Sequence, residues 1–202
     1  MIASTDITLG LLAGGRATRL GGADKAWLTR DGMSQVERWR RRFAAEVATI
    51  LVSANRSPER YERIGLRSVA DRVTVDVGPL AALDALAAAC KTRWLLTLPV
   101  DLVGVNDCLL PSLGAAAGAN GAFAVGDDGP QALVALWAGA GLRAAALPAI
   151  DAGDLAIHLL QRHLGMVAVR FTGVRFGNLN TPQDLAAAGA VPGEPDGHNA
   201  SA

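Results

Sequence analysis

Two cysteines and three histidines are all that the 202 residues offer as soft or imidazole ligands. Cys90 and Cys108 stand alone, with no Cys-x-x-Cys and no histidine at ligand spacing, and so read as reduced, mostly buried thiols. His158 and His163 sit five apart in a helical pattern, which turns them away from each other and excludes a paired-ligand role. Net charge is also missing. Nineteen basic side chains cancel nineteen acidic ones, so no global field recruits nucleic acid or an anionic membrane, and any anion site must be local.

Met1 to Asp6 lacks a basic segment leading into an apolar one, so no secretory signal is expected. The most apolar long stretch, residues 132–150, is interrupted by Arg143 and Pro148, which excludes a membrane span there. A cytoplasmic location is therefore expected, with no nucleic acid or membrane as partner. Internal repeats are absent, as is any convincing Ser/His/Asp or Cys/His constellation.

Half of the residues are hydrophobic, enough to close a substantial core, and the length favours one domain. Ile7 to Ala13 is an apolar run ending in glycines, the pattern of a buried parallel strand entering a loop. Val36, Trp39, Phe43 and Val47 recur at helical spacing, and the arginines between them (Arg38, Arg40, Arg41 and Arg42) read as a solvated helix face rather than a nucleic-acid patch. Further strands are expected at 49–53, 66–70 and 94–100, with helices opening at Pro58 and at Gly78-Pro79.

Beyond them the pattern predicts a helix at 106–117, a hairpin from 121–125 and 132–137, helices at about 139–147 and 153–163, and strands near 166–171 and 174–179. Thr181-Pro182-Gln183-Asp184 reads as the start of a last helix, with Thr181 as N-cap. The alternation predicts a three-layer α/β domain over residues 1–190, with a mostly parallel sheet and an antiparallel element. Residues 191–202, small, polar and rich in Gly and Pro, are expected to form a disordered tail.

The loop after the first strand fits neither Gly-x-Gly-x-x-Gly nor the P-loop pattern. Gly14, Gly15, Gly21 and Gly22 allow close backbone approach, so that successive amides can face phosphate oxygens. Arg19 and Lys25 add a planar fork and a point charge that can straddle a polyphosphate. Its length, about twice the usual two to six residues of a βα connection, favours a functional loop.

Leu12-Ala13-Gly14-Gly15, Arg19, Gly21 and Lys25 resemble the signature of the MobA-type molybdenum cofactor guanylyltransferases, within the glycosyltransferase-A-like nucleotidyltransferases. Asn55, Asp71, Gly78-Pro79-Leu80-Ala81, Asp101 and Asn178-Leu179-Asn180-Thr181-Pro182 follow in the family's order. The resemblance implies a Rossmann-like fold and transfer of GMP from GTP to molybdopterin, releasing pyrophosphate and forming molybdopterin guanine dinucleotide. It implies magnesium (Mg2+), and it admits transient contact with molybdenum cofactor enzymes or chaperones.

By the same resemblance, Leu12, Ala13, Gly14 and Gly15 present backbone to the nucleotide, Lys25 contacts phosphate, and Ser53 and Asp71 lie around the nucleoside. Asp71 is open to two readings, the N1–H and amino edge of guanine or a ribose hydroxyl, besides that of a loop-capping carboxylate. Asp101, expected where a strand ends, suits magnesium, which takes one carboxylate plus phosphate oxygens and waters; a cap on the following helix is the other reading. Asn178 and Asn180 would face the pterin. Catalysis would rest on positioning and charge stabilisation by Arg19, Lys25 and the metal at Asp101.

Three positions depart from the family. Ser53-Ala54-Asn55 replaces Asn-Ala-Asn, Val100-Asp101-Leu102-Val103 lacks the cysteine and proline of Cys-Asp-x-Pro, and Leu20 replaces a methionine. Cytidylyl transfer is the nearest rival, although Ala13-Gly14-Gly15 rather than Ala-Ala-Gly favours GTP. A sugar-phosphate nucleotidyltransferase is disfavoured by the compact spacing from Arg19 to Lys25, and a non-catalytic nucleotide-binding relative by the retention of Arg19, Lys25 and Asp101.

Overall fold

The computed structural model describes residues 2–14, 24–73 and 77–193. The first strand, β1 (Ile7–Leu12), is followed by two very short strands, β2 (Thr29–Arg30) and β3 (Met33–Ser34), and by α1 (Gln35–Phe43). Ser34 caps α1 by accepting the Glu37 amide, and Val36, Trp39 and Phe43 form its buried face. Next come β4 (Thr49–Ser53), α2 (Pro58–Arg63), β5 (Arg67–Val69), α3 (Pro79–Ala89) and β6 (Trp94–Pro99). Both α2 and α3 place proline in their first turn, where its missing N–H costs nothing.

The second half contains α4 (Leu109–Ala116), the hairpin β7 (Gly121–Gly126) and β8 (Gly129–Ala138), α5 (Gly139–Ala152), α6 (Ile157–His163), β9 (Val167–Arg170), α7 (Pro182–Ala188) and β10 (Ala190–Val191). The larger sheet runs β5-β4-β1-β6-β8-β7-β9. Its first four strands are parallel, and β8 is antiparallel to both β6 and β7. A mostly parallel sheet with an antiparallel element is thus what the chain forms.

Strand alternation sorts the core onto two faces. Ile7, Leu9 and Leu11 of β1 and Leu96 and Leu98 of β6 pack with Val36 and Phe43 of α1, Tyr61 of α2 and Leu113 of α4. Leu12, Leu95 and Trp137 point the other way, toward Leu83 and Leu86 of α3, Leu142 of α5 and Leu160 of α6. Helices therefore cover both faces, giving three layers. Gly10 admits α3 closely: a Cβ there would meet Leu86 Cδ1 at 2.9 Å and Leu95 Cδ1 at 3.1 Å.

Four expectations need correction. Residues 174–179 form no named strand; one isolated bridge, Leu102 to Asn178, is what the segment makes, because it crosses beside the loop after β6 instead of joining a sheet edge. Helix α4 starts at Leu109 rather than 106, since Asn106 spends its side chain on the Cys108 amide in a turn. The helix expected at 139–147 runs through Pro148 to Ala152. Val191, assigned to the tail, pairs with Thr29 in a small sheet ordered β10-β2-β3; residues 194–202 lie outside the described residues.

This small sheet positions the site. With the cluster of Leu28, Leu179, Leu185 and Ala190, it binds the segment after Lys25 to the segment around Asn180.

Candidate functional site

From β1 the chain moves to β4 and β5 on one side, then returns to β6 on the other. This reversal opens a crevice at the carboxyl ends of β1 and β6, where ligands of open α/β sheets bind. The Ala13 amide donates to the Ser53 carbonyl and the Val100 amide to that of Leu12, both at 3.0 Å, so the three strand ends are held in line. Among the described residues, nothing lies within 4 Å of where a Cβ on Gly14 would stand. Gly15, Arg19, Gly21 and Gly22 lie outside the described residues.

Asp101 follows directly on β6. Its carboxylate, 12% exposed, accepts from Lys25 Nζ at 2.6 Å, and the same ammonium donates to Asn180 Oδ1. Three residues remote in sequence thus share one polar cluster. Lys25 opens a 3-10 turn capped by Asp24, which accepts the Ala26 amide at 2.9 Å. Asn180 precedes α7, and its amide is held by Asp184 Oδ2 at 3.1 Å, as is the Thr181 amide at 2.8 Å.

Thr181 and Asp184 form a reciprocal capping box. The Thr181 side chain, then the amides of Asn180 and Thr181, hold the Asp184 carboxyl below its ordinary value, with Lys25 adding a smaller push and desolvation opposing.

Without the cysteine and proline of the family pattern, the loop after Asp101 takes its shape from the 175–179 segment. The Asp101 carbonyl accepts the Leu179 amide at 2.9 Å, and the Gly177 carbonyl accepts the Val103 amide at 2.8 Å. Gly104 has φ 82°, and a Cβ there would collide with the Arg175 carbonyl. On the other side, Trp39 Nε1 donates to the Val100 carbonyl at 2.9 Å. Asp101 cannot be the cap of α4, which begins at Leu109 with Cys108 as N-cap.

Ser53, 1% exposed, ends β4 beside Leu12. Two residues on, Asn55 pairs reciprocally with Asp71: Asn55 Nδ2 donates to Asp71 Oδ2, and Asn55 Oδ1 accepts the Asp71 amide, both at 2.8 Å. Asp71 Oδ1 and Asn178 Oδ1 are buried without a hydrogen-bond partner among the described residues. Each is an acceptor left open, which a ligand donor can satisfy.

Sequence reasoning found Lys25, Asp101 and Asn180 but assigned them separate tasks, and it missed their shared hydrogen bonds. It also missed Trp39 as a tie to the β6 end, which looked like any core position at helical spacing. Asp84, buried within the leucine- and alanine-rich α3, pairs with Arg72 at 3.4 Å just past Asp71, and no sequence signal distinguished it.

No group of three or more His, Cys, Asp or Glu side chains that could hold a metal occurs among the described residues. Asp101 therefore offers a single hard carboxylate at the mouth of the crevice. That donor set fits magnesium, which keeps several waters and takes the rest of its oxygens from phosphates, and does not fit zinc or another ion needing thiolates and imidazoles. Among the described residues, no helix is long and apolar enough to cross a membrane.

A family model described as the MobA-like NTP transferase domain matches residues 10–166, from the end of β1 through α6. This chain belongs to that family. A molybdenum cofactor guanylyltransferase from Ralstonia pickettii is 43% identical to this family member over 101 residues, 50% of each chain, so the match spans about half the length of that relative. One from Yersinia pseudotuberculosis is 31% identical over 182 residues, covering 89% of this chain and 93% of its own.

Among solved structures, molybdopterin-guanine dinucleotide biosynthesis protein A from Archaeoglobus fulgidus superposes with a TM-score of 0.64 at 18% identity, covering 90% of this chain and 96% of that one. The 2-C-methyl-D-erythritol 4-phosphate cytidylyltransferase from Thermus thermophilus gives 0.63 at 18% identity, with 89% and 95% covered. Both share the α/β nucleotidyltransferase fold that the strand order describes.

Proposed function

We propose that this member of the MobA-like family transfers GMP from GTP to molybdopterin in the cytoplasm, releasing pyrophosphate and forming molybdopterin guanine dinucleotide. The observation that carries the reading is the cluster of Lys25, Asp101 and Asn180 at the crevice between β1 and β6. The names of the Ralstonia and Yersinia relatives support the same substrates.

In this reading the backbone of Leu12, Ala13, Gly14 and Gly15 borders the triphosphate, with Arg19 and Lys25 supplying positive charge. Ser53 and Asp71 lie on the nucleoside side, where the open Asp71 Oδ1 accepts from the guanine edge or a ribose hydroxyl. Asn178 and Asn180 take the pterin side. Asp101 holds magnesium, which when bound neutralises phosphate charge and favours in-line geometry.

The acceptor is itself a phosphate, dianionic at neutral pH because its second ionisation falls near 6. No side-chain base is needed. Its oxygen forms the new bond to the α-phosphorus as the bond to the bridging oxygen breaks and pyrophosphate leaves. Lys25, drawn from Asp101 toward the phosphates, stabilises the charge that builds there. Product transfer to molybdenum cofactor enzymes or chaperones would follow through transient contact.

A thermal-shift comparison of GTP, CTP, ATP and UTP with magnesium tests the assignment, since a ligand of the native state raises the melting temperature. The largest shift is expected with GTP, and pyrophosphate release only when molybdopterin is added. A preference for CTP would replace guanylyl with cytidylyl transfer, and GTP binding without turnover in the presence of molybdopterin would leave a binding protein.

A further inference from the structure

The arginines of α1 are not simply a solvated face. Arg38, Arg41 and Arg42 join Arg30 of β2 around a cavity of about 350 Å³, closed on its far side by residues 102–105 of the loop after Asp101. Small-molecule sites begin at about this volume. Met33 of β3, Trp39 of α1 and Leu102, Val103 and Val105 of that loop supply the apolar part of the wall.

Arg38 donates to the Arg30 carbonyl at 3.1 Å, and two of the cations also lean on exposed carboxylates. Arg38 Nη1 lies 3.4 Å from Asp31, and Arg42 Nη2 lies 3.1 Å from Asp107, but the two carboxylates are 78% and 95% exposed. Pairs in such solvent contact contribute little and exchange readily for a better anion. Arg42 also pairs with Glu46, while Arg41 makes no ion pair among the described residues.

A second observation points to a ligand. Gln35 forms part of the cavity wall, is only 2% exposed, and its Nε2 has no hydrogen-bond partner among the described residues. A buried amide donor left unpaired is destabilising, and an acceptor brought within reach of it would satisfy it.

We infer that this cavity between α1 and residues 102–105 is a second binding site, for a small phosphomonoester carrying a flat apolar body. Several guanidinium forks together favour a dianionic phosphate over a carboxylate. The half-buried Met33, Val103 and Val105 of the wall accommodate the body, beside the buried Trp39. The site does not depend on the guanylyl-transfer reading, because none of its side chains is assigned there. Through the Trp39 bond to the Val100 carbonyl, it does adjoin the residue before Asp101.

The test is a titration of the full chain with phenyl phosphate, followed by the indole N–H resonance of Trp39, assigned with Trp39→Phe. A saturable shift is expected, retained in Lys25→Ala, and weakened about tenfold or more in Arg41→Glu, the loss of roughly one charge-assisted bond. Arg41 is exposed, so its replacement leaves the core intact, and an unchanged melting temperature verifies this. Inorganic phosphate alone is expected to bind more weakly, and phenol not at all. The inference is overturned by no saturable shift, by a shift lost in Lys25→Ala yet kept in Arg41→Glu, or by equal affinity for inorganic phosphate.

Discussion

Lys25 Nζ stands 2.6 Å from Asp101 Oδ2, so an ammonium group already occupies the carboxylate proposed to bind magnesium. The two cations compete for one anion. A charge-assisted hydrogen bond contributes about 1.5–3 kcal/mol, enough to weaken metal binding tenfold or more. Replacing Lys25 with methionine should therefore tighten Mn2+ binding to the free protein by about tenfold, read by electron paramagnetic resonance titration. An affinity equal to that of the wild type would show that Lys25 does not guard Asp101.

The proposed reaction draws on the same pair. Lys25→Ala and Asp101→Asn should each lower the proposed guanylyl transfer by about 10²–10³, the range for removing one group that stabilises developing charge. Each variant loses the ion pair and should melt a few degrees lower while remaining folded, as circular dichroism at assay temperature verifies. Pyrophosphate release assays on the two variants provide the check, and wild-type rates in both would remove these residues from the site.

Gly104 sets the path of the loop after Asp101. With φ at 82° and the Arg175 carbonyl against it, alanine meets both backbone strain and a collision. Gly104→Ala should cost about 1–3 kcal/mol of stability, measured by urea denaturation. Gly173→Ala, also at positive φ but with nothing within 4 Å, is the matched control and should cost less.

Asp184 gives a pH signature. Its carboxyl is held below the ordinary 3.8, so folding favours the ionised form. The stabilisation is complete above the unfolded value and disappears as pH falls through the folded one. The melting-temperature gap between wild type and Asp184→Asn should stay constant from about pH 7 to about pH 5 and close below about pH 4. A gap independent of pH would rule out the contribution.

The parallel half of the sheet was legible because β1, β4 and β6 are buried on both faces and must be continuous apolar runs bounded by loops. The start of α7 was legible because a capping box is local chemistry, complete within four residues. The small sheet was not. Strands of two residues carry no periodicity, and the pairing of Val191 with Thr29 depends wholly on tertiary contact. The failed strand at 174–179 has a related cause: its hydrogen bonds are distributed among Asp127, Val103 and Asp101, with no single neighbour for a pattern to reveal.

The residues proposed for the site were singled out one at a time, from glycines, cations and carboxylates at telling positions. Their convergence was not. Lys25 and Asn180 are separated by 155 positions, and only the folded chain shows that they share a hydrogen bond.

That separation has a temporal meaning for the growing polypeptide. The strand after Lys25 waits for Ala190 and Val191 before it has its β10 neighbour, and chains are synthesised from the amino end at about 5–20 residues per second. Asp101 and Lys25 leave the ribosome several seconds before the segment that fixes Asn180. A nascent chain can thus form much of the larger sheet while the polar cluster is still incomplete, and chains halted before α7 should fold in part without gaining the hydrogen bonds that Asn180 contributes to it.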